Sequence, residues 1–261
     1  MIIFVCQTTQ NQQTMARIDS KGRLTGSIGP VSYRTFNGTT YLQSKPGKGN
    51  VQQTLATQQT ASDFGRASTM AKSIRQALFP IVHNHSDTTF YRRFTAQVHT
   101  ATQDGNPQPK GSRSLWHGNL SVLTNMECNA ASPFANYCTL APELTLSIDR
   151  EVTITLPAFT VAEGIKQQGD ATDATLAFLV TCVDAATGAQ THAELFQLDM
   201  ELANGELPTQ QWTTAAVPEN QLIIVASAVF YYRRNAVAGL IGRNSKEFHP
   251  CAVIAVMRSS E

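Results

Sequence analysis

The sequence carries little charge. Asp, Glu, Lys and Arg make up 15% of its 261 residues, and the formal net charge is +1, whereas about a quarter of a typical globular domain is charged. A chain without a basic excess has no long-range field that attracts nucleic acid or an anionic membrane. We therefore expect no specific nucleic-acid partner. The weak repulsion between copies favours close packing of subunits.

Long apolar runs are missing too. The longest, residues 222–232, is about half the roughly 20 residues that a membrane-spanning helix needs, so we expect no membrane span. The apolar residues 2–6 are too few for a secretory signal, and no Lys or Arg precedes Arg17. We expect no classical signal peptide. A polar surface of low charge nevertheless favours an extracellular or particle-associated location.

Motifs of common enzymes are absent from the sequence. It contains no phosphate loop, no H-E-x-x-H, no G-x-S-x-G and no G-x-G-x-x-G. No two of its cysteines have the C-x-x-C spacing of a zinc site; they are Cys6, Cys128, Cys138, Cys182 and Cys251. Cys128 and Cys138 flank a loop, so both a disulfide between them and two free thiols remain open. We expect no cofactor and no enzymatic activity.

Turn residues divide most of the chain into β-strands. Asn37-Gly38 separates two alternating runs, and this dipeptide favours the type I′ turn of a hairpin. Similar patterns surround Asp149-Arg150 and Thr187-Gly188, and the apolar runs near the C-terminus predict buried strands. Residues 90–100 also resemble a strand. We predict a mainly β protein, an antiparallel sandwich or barrel with an N-terminal hairpin.

One segment has the periodicity of a helix. An apolar stripe recurs at steps of three and four residues from Phe64 to Ile81. It predicts one long amphipathic helix, with Thr60 as its N-cap and Pro80 near its end. The polar face carries Ser, Gln and Thr rather than a basic belt. The helix is therefore expected to pack on a sheet and not to lie on a membrane.

Three segments carry a resemblance to a known family. They are MARIDSKGRLTGSIGPVSY from Met15, FNGTTYLQSKP from Phe36 and TLATQQTASDFGRAS from Thr54. Their order resembles that of an uncharacterised bacterial domain of unknown function, and ATLAFLVTCVDAATG and VPENQLIIVASAVFYY are similar to its paired C-terminal strands. The chain departs from the family pattern in lacking Thr-Pro before the helix and several basic residues within it. The resemblance implies the order hairpin, helix and β domain, and no activity.

We expect three parts along the chain: an N-terminal extension (residues 1–14), a hairpin and helix unit (15–87) and a β-sandwich domain (88–261). The extension has three interpretations. It is a start codon assigned too early, with the protein beginning at Met15, or a disordered tail, or a short strand at residues 2–6 on a polar leash. Such a strand would pair with an exposed sheet edge of the same molecule or of a neighbour. We favour the strand.

The best candidate for a metal site is the stretch from His83 to Asp87. Imidazole and carboxylate groups are ordinary metal ligands, so His83, His85 and Asp87 are weak candidates. The alternative is a polar loop after the helix, where a histidine also suits the helix dipole. We favour the loop and expect no metal.

Arginine and tryptophan residues supply two further sets of candidates. Arg92 and Arg233 each belong to an Arg-Arg pair that follows aromatic residues, and alternation in a strand would send the members of a pair to opposite faces. We expect an ion pair at an edge or at a subunit interface. Trp116 and Trp212 could stack on a sugar, although a core or interface position is the more common role of such residues.

We hypothesise a non-enzymatic structural subunit that assembles with itself into a filament, tube, sheath or phage-like particle. The expected interface residues are Ile2, Ile3, Phe4, Val5, Tyr33, Tyr41, Arg92 and Arg233. The alternative is a carbohydrate- or ligand-binding β module, in which Trp116 or Trp212 lies exposed beside a cleft.

Overall fold

The structure is a computed structural model that describes residues 16–45, 52–203 and 205–260. The strand predicted at residues 2–6, with Ile2, Ile3, Phe4 and Val5, lies outside these ranges. The chain divides into two compact units, Met1–Leu55 and Ala56–Glu261. The sequence placed the end of the first unit after the helix, at residue 87. The structure instead assigns that helix to the second unit.

The first unit is a four-stranded antiparallel sheet in which neighbouring strands follow one another along the chain. Its strands are β1 (Arg17–Ile18), β2 (Leu24–Ile28), β3 (Val31–Phe36) and β4 (Thr39–Ser44). The predicted hairpin joins β3 to β4 and is confirmed. Asn37 and Gly38 have φ angles of 48° and 81°, and a type I′ turn requires positive values at both positions.

The described part of the second unit contains helices, short 3-10 turns and strands. The helices are α1 (Leu55–Ala77), α2 (Phe79–Val82), α3 (Phe90–Gln103) and α4 (Val161–Gly164). The 3-10 turns are Leu115–His117, Leu120–Leu123 and Phe134–Asn136. The strands are β5 (Met126–Glu127), β6 (Glu143–Leu146), β7 (Val152–Leu156), β8 (Phe159–Thr160), β9 (Asp173–Asp184), β10 (Gln190–Glu201), β11 (Glu206–Leu207), β12 (Gln210–Thr213), β13 (Gln221–Asn235), β14 (Gly239–Gly242) and β15 (Cys251–Arg258).

A six-stranded antiparallel sheet forms the centre of this unit. Its order is β10-β9-β13-β15-β5, and β14 pairs with the far end of β13. Every residue of β9 except Asp184 is buried, as are the first nine residues of β13. Burial on both faces explains the continuous apolar runs of these strands. The hairpins predicted around Asp149-Arg150 and Thr187-Gly188 join β6 to β7 and β9 to β10, and both are confirmed.

Two hydrophobic cores lie on the two faces of the central sheet. The first packs α1, α2 and α3 against one face and contains Ile74, Phe94 and Ile224. The second packs the three-stranded sheet β12-β7-β6 against the other face and contains Ile154 and Phe178. The protein is therefore mainly β, as predicted, with several antiparallel sheets and an N-terminal hairpin sheet.

Residues 90–100 belong to helix α3, so the strand predicted there is wrong. The aromatic and β-branched residues of this segment favoured a strand. Its buried residues Phe90, Phe94 and Val98 are spaced four apart, however, which places them on one face of a helix. The second unit consequently has a layer of helices on the central sheet instead of the single long helix that was expected.

Helix α1 begins earlier than predicted. Thr60, the expected N-cap, lies inside the helix, and its hydroxyl donates to a carbonyl one turn earlier at 2.9 Å. Asp63, three residues after Thr60, is only 1% exposed. Its carboxylate accepts the backbone N–H groups of Gly111 and Arg113 at 3.0 Å each. Asp63 therefore attaches the loop that follows α3 to helix α1.

The four described cysteines, Cys128, Cys138, Cys182 and Cys251, are buried free thiols. The disulfide between Cys128 and Cys138 that the sequence left open is therefore not formed. Burial raises the pKa of Cys138 to about 11 and that of Cys182 to about 12. A thiol that stays protonated is a poor nucleophile, so these residues act as small core side chains.

Candidate functional site

The N-terminal sheet has no buried interior. None of the described residues 16–45 is buried, although its strands carry large apolar side chains. Ile18, Ile28, Phe36 and Leu42 are 68%, 55%, 67% and 66% exposed. A small sheet is stabilised by packing one face on a hydrophobic layer, which compensates for the entropy lost on ordering the chain. Within the described residues of the first unit, no second layer packs on this sheet.

Strand register sorts the side chains of this sheet onto two faces. Ile28 lies opposite Val31, and Tyr33 lies opposite Leu42; directly paired residues share a face. The apolar face consists of Ile18, Leu24, Gly26, Ile28, Val31, Tyr33, Thr35, Thr40, Leu42 and Ser44. The basic face consists of Arg17, Thr25, Ser27, Ser32, Arg34, Phe36, Thr39, Tyr41 and Gln43. Tyr33 and Tyr41, two of the expected interface residues, thus lie on neighbouring strands but on opposite faces.

The two faces differ in charge. The apolar face carries no charged residue, whereas the basic face carries Arg17 and Arg34. Four strands about 4.8 Å apart, each about five residues long at about 3.4 Å per residue, give the sheet a footprint of roughly 300 Å². An exposed apolar patch of that size equals the largest found on many monomers, and such patches mark interaction sites.

Strand β4 is an unprotected sheet edge. It is the last strand in the order of its sheet, all 6 of its residues are exposed, and TTYLQS contains neither a charge nor a proline. Natural proteins usually guard exposed edges with lysine, proline or a bulge. Among the described residues β4 pairs with β3 alone, so its outer backbone groups are available to another strand.

The histidine candidates meet in a cluster that does not form a metal site. The ring centroids of His83 and His85 are 6.2 Å apart, and that of His249 is 5.2 Å from His85. The ring nitrogens of the buried His249 already lie 3.0 Å from the Ile81 carbonyl and 2.9 Å from the Asn244 amide. Within the ranges that the structure describes, no three His, Cys, Asp or Glu side chains form a group suited to a metal ion.

Asp87, the third metal candidate, has both carboxylate oxygens occupied. One oxygen accepts the N–H and the hydroxyl of Thr89, and the other accepts the Ala130 N–H and the Arg93 guanidinium. Burial by itself raises the pKa of Asp87, but these hydrogen bonds outweigh burial and hold the pKa well below its usual range. The carboxylate therefore joins the loop before α3 to that helix.

The two arginine candidates lie in different environments. Arg92 is exposed on α3, and its neighbour Arg93 is bound to Asp87. The expectation that Arg92 and Arg93 point to opposite faces of a strand is wrong, because the segment is helical. Arg233, near the end of β13, forms an ion pair with Asp170 at 3.2 Å; its role at a subunit interface stays a prediction.

Both tryptophans pack against the cores of the second unit. Trp116 is partly buried on the helical side, and the guanidinium of Arg258 lies 6.0 Å from its ring centroid. Trp212 lies between Phe178 and Phe196, with ring centroids 5.8 Å and 6.2 Å away. Both residues are partly buried, whereas a sugar stacks on an exposed aromatic face.

Sequence reasoning missed most of the apolar face. It selected Tyr33 and Tyr41 for their aromatic character, whereas the face follows from strand register. The Asn-Gly turn fixes the pairing of β3 with β4, and this pairing would have placed Leu42 beside Tyr33. Ile18 and Leu24 had no comparable signal, because the turn between β1 and β2 has no Asn-Gly dipeptide.

Comparisons with known proteins do not assign a function. A scan against protein-family models finds no match, and a search of the curated proteins finds no relative. The resemblance to a bacterial domain of unknown function therefore stays a prediction. Within the described residues, no helix combines the length and apolar character needed to cross a bilayer.

Proposed function

We propose that this protein is a non-enzymatic structural subunit that assembles with copies of itself into a homopolymer. The observation that carries the proposal is the apolar face of the N-terminal sheet, on which Ile18, Ile28 and Leu42 are each more than half exposed. Burial of apolar surface contributes about 25 cal/mol per Å², so covering even part of a face of roughly 300 Å² contributes several kcal/mol. A filament, tube, sheath or particle would provide that cover.

A second copy is the occupant that best suits this face. Because the apolar face carries no charge, two such faces meet without opposed like charges. They would pack as two aligned sheets about 10 Å apart. A partner with a charged surface would instead lose the hydration of its charges against an apolar layer, at a large cost in free energy.

This contact alone is too small for a stable assembly. Two faces together bury roughly 600 Å², and a standard interface buries at least about 1,200 Å². A contact between identical faces also closes after two copies, because the same patch is used on both. A polymer therefore needs a second, different contact.

The remaining expectations belong to the same proposal. A surface of low charge, 15% of residues, suits dense packing in an extracellular or particle-associated assembly. The alternative, a carbohydrate- or ligand-binding module with Trp116 or Trp212 exposed beside a cleft, is the less favoured proposal. Trp212 packs between Phe178 and Phe196, and Trp116 is partly buried.

The experiment that tests the proposal compares two substitutions on strand β4. Leu42→Asp places a charge on the apolar face, and Tyr41→Asp places one on the basic face of the same strand. Their side chains are 66% and 54% exposed, so neither change disturbs a packed interior. Light scattering and electron microscopy over a concentration series measure assembly. We expect Leu42→Asp to raise the concentration of half-assembly roughly tenfold or more, since an unpaired charge is costly to bury.

Tyr41→Asp is expected to assemble close to wild type. If the two variants reach half-assembly at the same concentration, the apolar face is not the contact surface. A wild-type chain that stays monomeric at the highest concentration tested would contradict the proposed function itself.

A further inference from the structure

A cleft of about 780 Å³ runs along the outer edge of the central sheet. Its floor is the C-terminal part of β15. One wall is the loop at residues 118–121, and the other is the turn at residues 146–150 between β6 and β7. This volume lies within the 300–1,000 Å³ typical of binding sites.

The floor of the cleft is a sheet edge without a strand beside it. Strand β5 pairs with β15 at Ala252 and Val253. Beyond these residues, at 254–258, β15 pairs with β13 on its inner side, and no other described strand pairs with its outer side. Among the described strands none adjoins this outer side, so the central sheet ends here in an open edge about five residues long, and Arg258 at its end makes other contacts.

The backbone of this edge is oriented to accept a strand. The Ser259 N–H donates to the Gln221 carbonyl of β13 at 3.0 Å. Hydrogen bonds alternate along an antiparallel ladder, so Met257 directs its backbone groups towards β13 and Val256 directs its own outwards. Val256 therefore offers one N–H and one C=O to an incoming strand.

Two arginines form hydrogen bonds and an ion pair in the walls of the cleft. Arg258 donates to the carbonyls of Trp116 and Gly118 at 2.6 Å and 2.7 Å, which fixes the first wall to β15. Arg150, in the second wall, pairs with Glu219 at 3.1 Å. Because both guanidinium groups already contact acceptors, the cleft favours an uncharged occupant.

The walls also define the pattern of side chains that the cleft would accept. An added strand would lie between them, so its side chains would be covered on both faces. Leu146 and Ile148 line one wall, and Ile148 is 97% exposed. Strands covered on both faces have continuous apolar sequences, as β9 and β13 do in this protein.

We propose that residues 2–6 of a second copy bind in this cleft as an added strand beside residues 254–258 of β15. The sequence Ile-Ile-Phe-Val-Cys is uncharged, apolar at every position and as long as the open edge. This continuous apolar pattern is typical of a strand whose side chains are covered on both faces. A strand with one exposed face would instead alternate apolar and polar residues. The inference rests on the proposed function and supplies the second contact that a polymer needs.

A donor strand in an acceptor cleft is a head-to-tail contact. The two copies use different surfaces, so each copy can bind a further one on either side. Combined with contact between two apolar faces, this arrangement extends without closing. The strand acts in trans, and its loss would leave only the contact between N-terminal sheets, which is too small for a stable assembly.

Disulfide trapping in the full chain tests the placement of the segment. Ile148→Cys puts a thiol on the cleft wall, and Val237→Cys puts one in the turn after β13; the native side chains are 97% and 96% exposed. The four described native cysteines are buried, so Cys6 is the intended partner. Mild oxidation with diamide takes two electrons and two protons from each pair of thiols. Mixing isotope-labelled and unlabelled copies distinguishes links between chains from links within one chain.

We expect Ile148→Cys to give at least fivefold more linked chains than Val237→Cys, with the bond located at Cys6 by peptide mass. The further substitution Cys6→Ser should abolish it. Equal linking at the two positions, or links confined to single chains, would overturn the inference.

A second measurement does not depend on strand register. Ile148→Asp or Phe4→Asp should reduce polymers to monomers and weakly associated dimers in light scattering, and Val237→Asp should not. If Ile148→Asp and Phe4→Asp polymerise like wild type, the cleft contact is refuted while the proposed function stands. A wild-type chain that remains monomeric refutes the proposed function as well.

Discussion

The two main sheets of this protein differ in what covers them. In the central sheet, β9 and β13 are buried between a layer of helices and a second sheet. In the N-terminal sheet no described residue is buried, although one face carries the apolar residues Ile18, Leu24, Ile28, Val31, Tyr33 and Leu42. Within its own unit the central sheet has a layer on each face, whereas the described residues of the first unit place no second layer on the N-terminal sheet.

This difference bears on how each sheet is stabilised. Apolar residues stabilise a fold only when another layer removes them from water. The central sheet therefore folds with its own chain, and we infer that the N-terminal sheet gains its stability from a second copy. Substitutions in the two sheets should have correspondingly different effects.

The largest contrast is expected for a phenylalanine in each sheet. Phe178 is 1% exposed in β9, so Phe178→Ala should lower the free energy of unfolding by about 3–5 kcal/mol through lost contacts and a cavity. Phe36 is 67% exposed in β3, so Phe36→Ala should change it by less than about 0.5 kcal/mol. Urea unfolding of both variants measures these values. If both substitutions lower the free energy of unfolding by similar amounts, the two sheets do not differ in how far their side chains are buried.

A second prediction concerns how the stability of the second unit depends on pH. Burial lowers the pKa of His249 from 6.5 to about 4. Between these two pH values the unfolded chain binds a proton that the folded chain does not, so stability falls as the pH falls. The full effect is about 3 kcal/mol. His249→Gln should flatten this part of the curve of unfolding free energy against pH. A variant with the wild-type slope would show that His249 is not the group responsible.

The smallest effects are expected for two glycines, and they should have opposite signs. Gly38 has a φ of 81° in the turn of the N-terminal sheet, so Gly38→Ala should destabilise that hairpin by about 1 kcal/mol. Gly65 lies inside α1 with open space around it, so Gly65→Ala should stabilise the second unit by roughly 0.5–1 kcal/mol. Hydrogen exchange of the β3 and β4 amides reports the first change, and urea unfolding reports the second. Effects of the same sign would contradict this assignment.

Local signals predicted the strands better than the layers. The Asn-Gly dipeptide fixed the β3–β4 hairpin because few residues adopt two consecutive positive φ angles. The continuous apolar runs of β9 and β13 indicated strands buried on both faces. Helix α3 was missed because Phe90, Phe94 and Val98 also suit a strand by residue type, and only their spacing distinguishes a helix.

The candidate surfaces depend on pairings that sequence alone does not determine. Ile18 joins the apolar face through its pairing with Leu24, and the cleft exists because β5 stops pairing with β15 at Val253. Neither feature has a local signature, because each depends on where a distant strand begins or ends. The sequence alone shows the apolar residues 2–6, but it does not identify the cleft that we propose as their binding site.

The most direct test of the account is hydrogen exchange in the N-terminal sheet at two protein concentrations, one well below and one well above the onset of assembly. We predict that protection of the β3 and β4 amides rises with concentration, while that of the β9 and β13 amides is the same at both. Equal protection of β3 and β4 at the two concentrations would show that this sheet is stable without a second copy, and would contradict the central claim.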